Sequence, residues 1–247
     1  MNWKNNPSCF LDTGEYNDQE IYFISKEEKL TYESYRKRKP KNWLYQDNKK
    51  NPLTYKFNKY GYRSKYNNID DLDEYYIAIG CSHTLGAGVH EEHRYSNIVE
   101  TETGVPVVNL GYSGGSALYI FYNISYFLSC NVKKPKAIFI QWPAVDRYSV
   151  LTHAGVDRLM HNHVGTSHKR SVKAFHLTFP TAIKETSYFS YYTTINLLKT
   201  ANIPNLNLSR EPYENVLTWN NVDAARDQFH FGVQSHKNLA NVILNNL

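Results

Sequence analysis

The chain has 247 residues, 41% hydrophobic and 15% aromatic, enough for one sizeable three-layer core or at most two small ones. Its 28 Lys and Arg against 23 Asp and Glu give a net charge of +5, spread as 14 against 12 through Glu74 and 14 against 11 beyond it; this evenness argues against a dedicated nucleic-acid binder, which needs clustered cations. No stretch approaches the roughly 18 to 20 apolar residues of a membrane helix and the N-terminal Met-Asn-Trp-Lys-Asn-Asn-Pro lacks a signal-peptide core, so a soluble, cytoplasmic chain without membrane partners is expected.

Residues 1–70 are rich in Asn, Lys and Tyr, carry few aliphatic positions and have a weak period, so they read as an irregular extension that wraps the following domain rather than building its own core. Cys9 lies here; with Cys81 and Cys130 it makes an odd count without metal or redox spacing, which fits a reducing compartment. Arg36 to Lys41 is the one dense cationic cluster and reads as a solvated charge run. Leu53 to Asn58 alternates apolar and polar like a half-buried strand, and Lys59-Tyr60-Gly61 supplies a turn.

From Tyr75 the texture changes to short apolar runs followed by Gly/Ser turns and helical patterns, the signature of βαβ units over residues 71–247. Strands are predicted at Tyr75–Ile79, Val105–Leu110 and Ala137–Gln141. Between the last two, Leu118, Phe121, Ile124, Phe127 and Leu128 share one helical face after Gly114-Gly115. The stretch from Trp142 to Thr181 holds His153, His161, His163, His168 and His176 without a clean period. His161 and His163 share a side only if that segment is extended, whereas Asp157 joins His153 and His161 only if it is helical; these metal arrangements exclude each other, and a polar loop at the site mouth is the plainer reading. A helix from about Lys184 to Ala201, a strand at Asn205–Ser209 and a final helix with Leu239, Val242, Ile243 and Leu247 on one face complete the pattern. The expected class is α/β, a three-layer α/β/α sandwich with a parallel, flavodoxin-like sheet.

Two segments carry chemistry. In Ile77-Ala78-Ile79-Gly80-Cys81-Ser82-His83-Thr84 a hydroxyl stands just beyond a buried strand, where open α/β sheets bind ligands. On this segment alone Ser82 also reads as a helix N-cap. In Ala225-Arg226-Asp227-Gln228-Phe229-His230-Phe231-Gly232, a carboxylate three residues before an imidazole has the spacing to orient the ring toward a distant nucleophile.

Together the Gly-x-Ser-x-Thr segment, Asn109-Leu110-Gly111-Tyr112-Ser113-Gly114-Gly115 and Asp227-x-x-His230 resemble, in order and spacing, the SGNH (GDSL-type) hydrolase superfamily. Asn58-Lys59-Tyr60-Gly61-Tyr62-Arg63 is similar to a lead-in found in many members. The resemblance implies Ser82 as nucleophile, His230 as base, Asp227 as its orienting carboxylate, and an oxyanion hole from the N–H groups of Ser82 and Gly114. It departs in two places. Cys81 replaces the Asp of the first block, and Gln141-Trp142-Pro143-Ala144-Val145-Asp146-Arg147 replaces the Gly-x-Asn-Asp block, whose Asn completes the hole. Gln141 is a candidate substitute donor, and Arg147 a candidate contact for a negatively charged substrate group. His236, near the position of a frequent family His, reads as structural or capping.

What the resemblance implies is a serine esterase acting on small or carbohydrate O-acyl (acetyl) esters, with no metal or organic cofactor. The divergent third block leaves open a non-catalytic glycan-binding or virion-structural protein on the same fold, similar to bacteriophage-encoded members, whose location would then be the virion. The same triad would also serve an acyltransferase. A homo-oligomer or virion assembly is the default expectation for partners beyond the substrate.

Overall fold

A computed structural model of the chain describes residues 10–13, 16–38, 50–151, 159–163, 180–210 and 213–247, with backbone alone at 27, 148–151, 159–163 and 180. The strands are β1 (Glu20–Ile21), β2 (Tyr55–Lys56), β3 (Tyr76–Gly80), β4 (Val107–Gly111), β5 (Ala137–Gln141), β6 (Arg147–Leu151), β7 (Leu159–His163) and β8 (Asn205–Leu208). The helices are α1 (Lys26–Arg38), α2 (Ser82–Leu85), α3 (Tyr95–Thr103), α4 (Ala117–Ser129), α5 (Pro180–Thr200) and α6 (Val233–Leu244).

β3, β4, β5 and β8 form a parallel sheet in the order β4-β3-β5-β8. The pleat sends alternate residues to opposite faces. Ile77, Ile79, Val108, Leu110, Ile138 and Ile140 pack with Ile120, Ile124 and Phe127 of α4 and Tyr191 and Leu198 of α5. Tyr76, Ala78, Val107, Ala137, Phe139 and Leu208 pack with Tyr95 and Val99 of α3 and Leu239, Ala240 and Ile243 of α6. This is a three-layer α/β/α sandwich. Helices cover both faces, which is why the central strands are continuous apolar runs rather than alternating ones.

Several expectations are corrected. The buried residues of α4 are Ala117, Tyr119, Ile120, Asn123, Ile124, Tyr126 and Phe127, while Leu118, Phe121 and Leu128 are half-buried on its flank. The helix is apolar around more than one face because α5 lies along it, with Phe121 and Phe189 edge to face at 6.4 Å. The last helix ends at Leu244, leaving Leu247 exposed outside the predicted stripe. The predicted strand at Leu53–Asn58 narrows to β2, paired antiparallel with β1, although its alternation survives with Leu53, Tyr55 and Phe57 buried. α1 and α3 have no counterpart in the pattern read above: α1 carries almost no apolar stripe, and α3 is short and its buried residues include Ser96. Part of the His-rich stretch forms the antiparallel β6–β7 pair, so the backbone at His161 and His163 is extended rather than helical. His153, Asp157, His168 and His176 lie outside the described residues, as do Cys9 and residues 39–41 of the cationic run.

The described part of residues 1–70 packs on the sandwich. Phe10 stacks on Phe127 with centroids 5.7 Å apart, and Leu53, Tyr55 and Phe57 cluster with Leu85 at the end of α2 and Ala87 just beyond it. Asn58 organises the intervening turn: its Oδ1 accepts from the N–H groups of Tyr60 and Tyr62, both at 3.0 Å, and Gly61 takes φ 76°. Arg63 follows, fully buried, donating through Nη1 to the carbonyls of Gly86 (2.7 Å) and Val89 (3.0 Å). The lead-in thus holds the loop that leaves α2.

Candidate active site

The site lies at the carboxyl ends of β3, β4 and β5. β3 delivers the chain into α2, whose N-cap is Cys81, without a side-chain cap bond; Ser82 is the first helical residue rather than the cap. Closeness here is enforced by small residues. A Cβ on Gly80 would lie 2.3 Å from Thr84 Oγ1, and one on Gly111 would lie 2.0 Å from the Leu85 amide nitrogen, so α2 can rest on β4 only because β4 ends in glycine. Asn109 locks the arrangement, donating to Thr84 O (2.7 Å) and Ser96 Oγ (2.9 Å) while accepting from Gly111 N–H (2.9 Å).

The segment carrying Asp227 and His230 is a tight turn. Ala224 and Phe231 form an antiparallel bridge, Ala225 N–H donates to His230 O at 3.0 Å, and Gln228 takes a left-handed φ of 62°. Asp227 Oδ1 accepts from the N–H groups of Phe229 (3.1 Å) and His230 (3.2 Å), and Oδ2 accepts from His230 Nδ1 at 2.5 Å. Across the cleft Ser82 Oγ donates to His230 Nε2 at 2.8 Å. The tautomer follows: with the proton held on Nδ1 and donated to the carboxylate, Nε2 is free to take the serine proton. Burial alone would raise the Asp227 carboxyl, but the facing His230 ring and the backbone N–H groups outweigh it and hold the group below the ordinary carboxylate range. Ser82 is 4% exposed and Asp227 2%, while His230 is half-buried and reaches the open side.

Gly114 follows β4 with φ 75°, in the left-handed region. Among the described residues neither the Ser82 nor the Gly114 N–H bonds an acceptor. The neighbouring Gly115 N–H turns back to Tyr112 O at 3.0 Å, and a Cβ on Gly115 would stand 3.2 Å from Gly80 O, so this loop lies against the end of β3. Gln141, at the end of β5, accepts from Thr84 Oγ1 at 2.7 Å through Oε1, leaving Nε2 without a partner among the described residues. Arg147 opens β6 and borders a cavity with Cys81, His83, Gln141 and Phe231. His236 is not at the reacting centre: its Nδ1 accepts the Tyr95 N–H at 3.3 Å, at the start of α3. Among the described residues no three His, Cys, Asp or Glu side chains are placed to hold a metal ion, and no described helix is long and apolar enough to cross a membrane.

Sequence reasoning missed His83 and Phe229. The His83 ring stacks on Phe231 at 3.8 Å and meets His230 edge to face at 5.0 Å. Phe229, between the two triad residues, is 71% exposed. Lying within the two motifs is the only signal that marks either residue.

No protein-family model and no curated protein matches the chain. Solved GDSL-type structures are similar to it. They include a putative lipolytic protein of the G-D-S-L family from Desulfitobacterium hafniense, at 14% identity and TM-score 0.37, covering 71% of this chain and 100% of that one. A member of the same lipolytic family from Veillonella parvula is also 14% identical, with TM-score 0.35 and coverage of 70% and 97%. An acetyl xylan esterase from Butyrivibrio proteoclasticus is 14% identical with TM-score 0.36, covering 71% of this chain and 63% of that one.

Proposed function

We propose that the protein is a serine ester hydrolase whose nucleophile is Ser82, acting on small or carbohydrate O-acyl esters. The observation that carries this reading is the unbroken chain Ser82 Oγ, His230 Nε2, His230 Nδ1, Asp227 Oδ2, with both distances within hydrogen-bond reach. Ser82 Oγ attacks the ester carbonyl carbon while His230 Nε2 takes its proton. The tetrahedral oxyanion is held by the N–H groups of Ser82 and Gly114. His230 returns the proton to the leaving alcohol, then deprotonates a water that attacks the acyl-enzyme, releasing the acid and restoring Ser82. Asp227 stays ionised throughout and holds the ring in place. In place of the Asn that the family resemblance calls for after β5, Gln141 Nε2 is the side-chain donor nearest in sequence; loss of one such donor costs on the order of 100- to 1000-fold in rate.

That substitution also favours a second reading, a binding protein on the same fold, because Gln141 Oε1 is tied to Thr84. Fluorophosphonate labelling separates the two, since the probe reports nucleophile activation without the natural substrate. Labelling of wild type that disappears in Ser82→Ala and His230→Ala supports the hydrolase. An unlabelled, folded wild type transfers the assignment to a binding role.

A further inference from the structure

Beside Ser82 and His230 lies a cavity of about 270 Å³, lined by Cys81, His83 and Gln141 on the sheet side, by Arg147 and Arg210, and by Trp219 and Phe231. Its chemistry is one-sided. Among the described residues no carboxylate lines it. Among the described residues, Arg147 Nε and Nη1 and Trp219 Nε1 are buried without an acceptor, and His83 Nδ1 is buried without a partner. Arg210 reaches over Phe231, its guanidinium carbon 5.7 Å from the ring centroid. Asp146, next to Arg147 in the chain, forms no ion pair with it, and its own Oδ1 is unpartnered.

Buried donors without acceptors are costly, more so when charged, and Arg147, which carries two of them, borders the cavity together with Arg210. A guanidinium turned toward the cavity matches the paired oxygens of a carboxylate or phosphate, so an anionic ligand that supplies only acceptors would relieve that cost. We infer that this cavity is a subsite for an anionic group, carboxylate or phosphate, carried by the ester substrate, with Arg147 and Arg210 as its specificity determinants. The anion belongs to a substrate only if the ester-hydrolase reading holds; binding of the anion itself does not depend on catalysis. Trp219 and Phe231 then form the apolar wall against which the rest of that substrate lies.

The test uses folded Ser82→Ala protein titrated by NMR or calorimetry with succinate, glucuronate and inorganic phosphate, and with neutral methyl glucoside as control. The expected result is saturable binding of at least one anion, not of the glucoside, weakened about tenfold or more by Arg147→Gln and by Arg210→Gln, each checked for folding by circular dichroism. The carboxylate and phosphate arms decide which anion is the natural one. No saturable binding of any of the three, or binding that neither variant weakens, overturns the subsite. In the active protein, the kcat/KM ratio for 4-nitrophenyl hemisuccinate over 4-nitrophenyl acetate should fall by a similar factor in Arg147→Gln if the anion sits on the acyl side. Anion binding lost in the variants together with an unlabelled wild type would keep the subsite and remove the hydrolase; labelling without anion binding would do the reverse.

Discussion

Asp227 never touches Ser82, yet it decides what the serine hydroxyl can do. All three of its acceptor contacts come from its own turn, the N–H groups of Phe229 and His230 and the Nδ1 of His230, so the carboxylate, the ring and the turn form one unit. Asp227→Asn removes the charge and presents an amide that can fix the wrong tautomer while leaving the turn closed by Ala225 N–H. If Ser82 is the nucleophile, fluorophosphonate labelling of Asp227→Asn should slow by about 10³- to 10⁴-fold, the scale seen when the same change is made in a serine protease triad, with the far-ultraviolet spectrum unchanged. Labelling at the wild-type rate would show that the carboxylate does not orient the base. At this scale the sequence was informative, because Asp-x-x-His fits one tight turn. Gln141 was less legible, since which of its atoms is occupied depends on Thr84, which α2 brings to it from another strand.

Among elements, one contact that bears on the site comes from the N-terminal segment. Arg226, immediately before Asp227, is buried and donates through Nη2 and Nε to Glu28 Oε1 of α1 at 2.6 and 3.2 Å. The same Glu28 oxygen accepts from Tyr55 Oη at 2.5 Å, and that hydroxyl accepts from Gly88 N–H at 2.7 Å. Arg226 N–H in turn donates to Gly88 O at 3.0 Å, so the loop after α2 and the turn carrying Asp227 are tied to one buried ion pair. Breaking one side of such a pair leaves an uncompensated buried charge. Glu28→Gln should lower unfolding free energy by about 3 kcal/mol in denaturant titration and slow labelling of Ser82, whereas adding Arg226→Met should recover part of the stability. Equal loss in the single and double variants would show that the two side chains are not coupled. None of this was readable from the sequence, since Glu28 and Arg226 are almost two hundred residues apart and α1 shows no apolar stripe.

For the whole molecule the controlling quantity is how many groups are kept neutral by burial. His236 is fully buried, and burial, with Arg94 and Arg63 nearby, pushes it down to about 3. Burial first, then the neighbouring His230 and Arg147, pushes His83 well below its ordinary value. Unfolded, both titrate near 6.5. As pH falls below about 6.5 the unfolded chain binds protons that the folded chain refuses, so stability present at neutral pH is lost progressively toward the folded values, at up to about 1.4 kcal/mol per pH unit for each group. Asp227, held below the carboxylate range, adds loss of the same sign at more acidic pH. Thermal unfolding midpoints should therefore fall steadily from pH 7 to pH 5, and His236→Asn should flatten that slope by about half over the same window. A slope that the substitution leaves unchanged would mean that His236 is not kept neutral by the fold.

The sequence by itself determined the sandwich and the triad candidates. Strands buried on both faces must be apolar throughout, and a nucleophile at a strand end followed much later by an Asp-x-x-His turn is a local pattern that needs no distant partner to be written. The packing of α4, the ends of α6, the roles of α1 and His83 and the unpartnered state of the Arg147 donors were decided only in three dimensions. Each depends on which neighbour arrives: α5 on the flank of α4, Arg226 on Glu28, Phe231 on His83, and the end of β5 beside Arg147. A linear pattern records which side chains prefer burial, but not which cation will be left without an acceptor once the chain has closed around it.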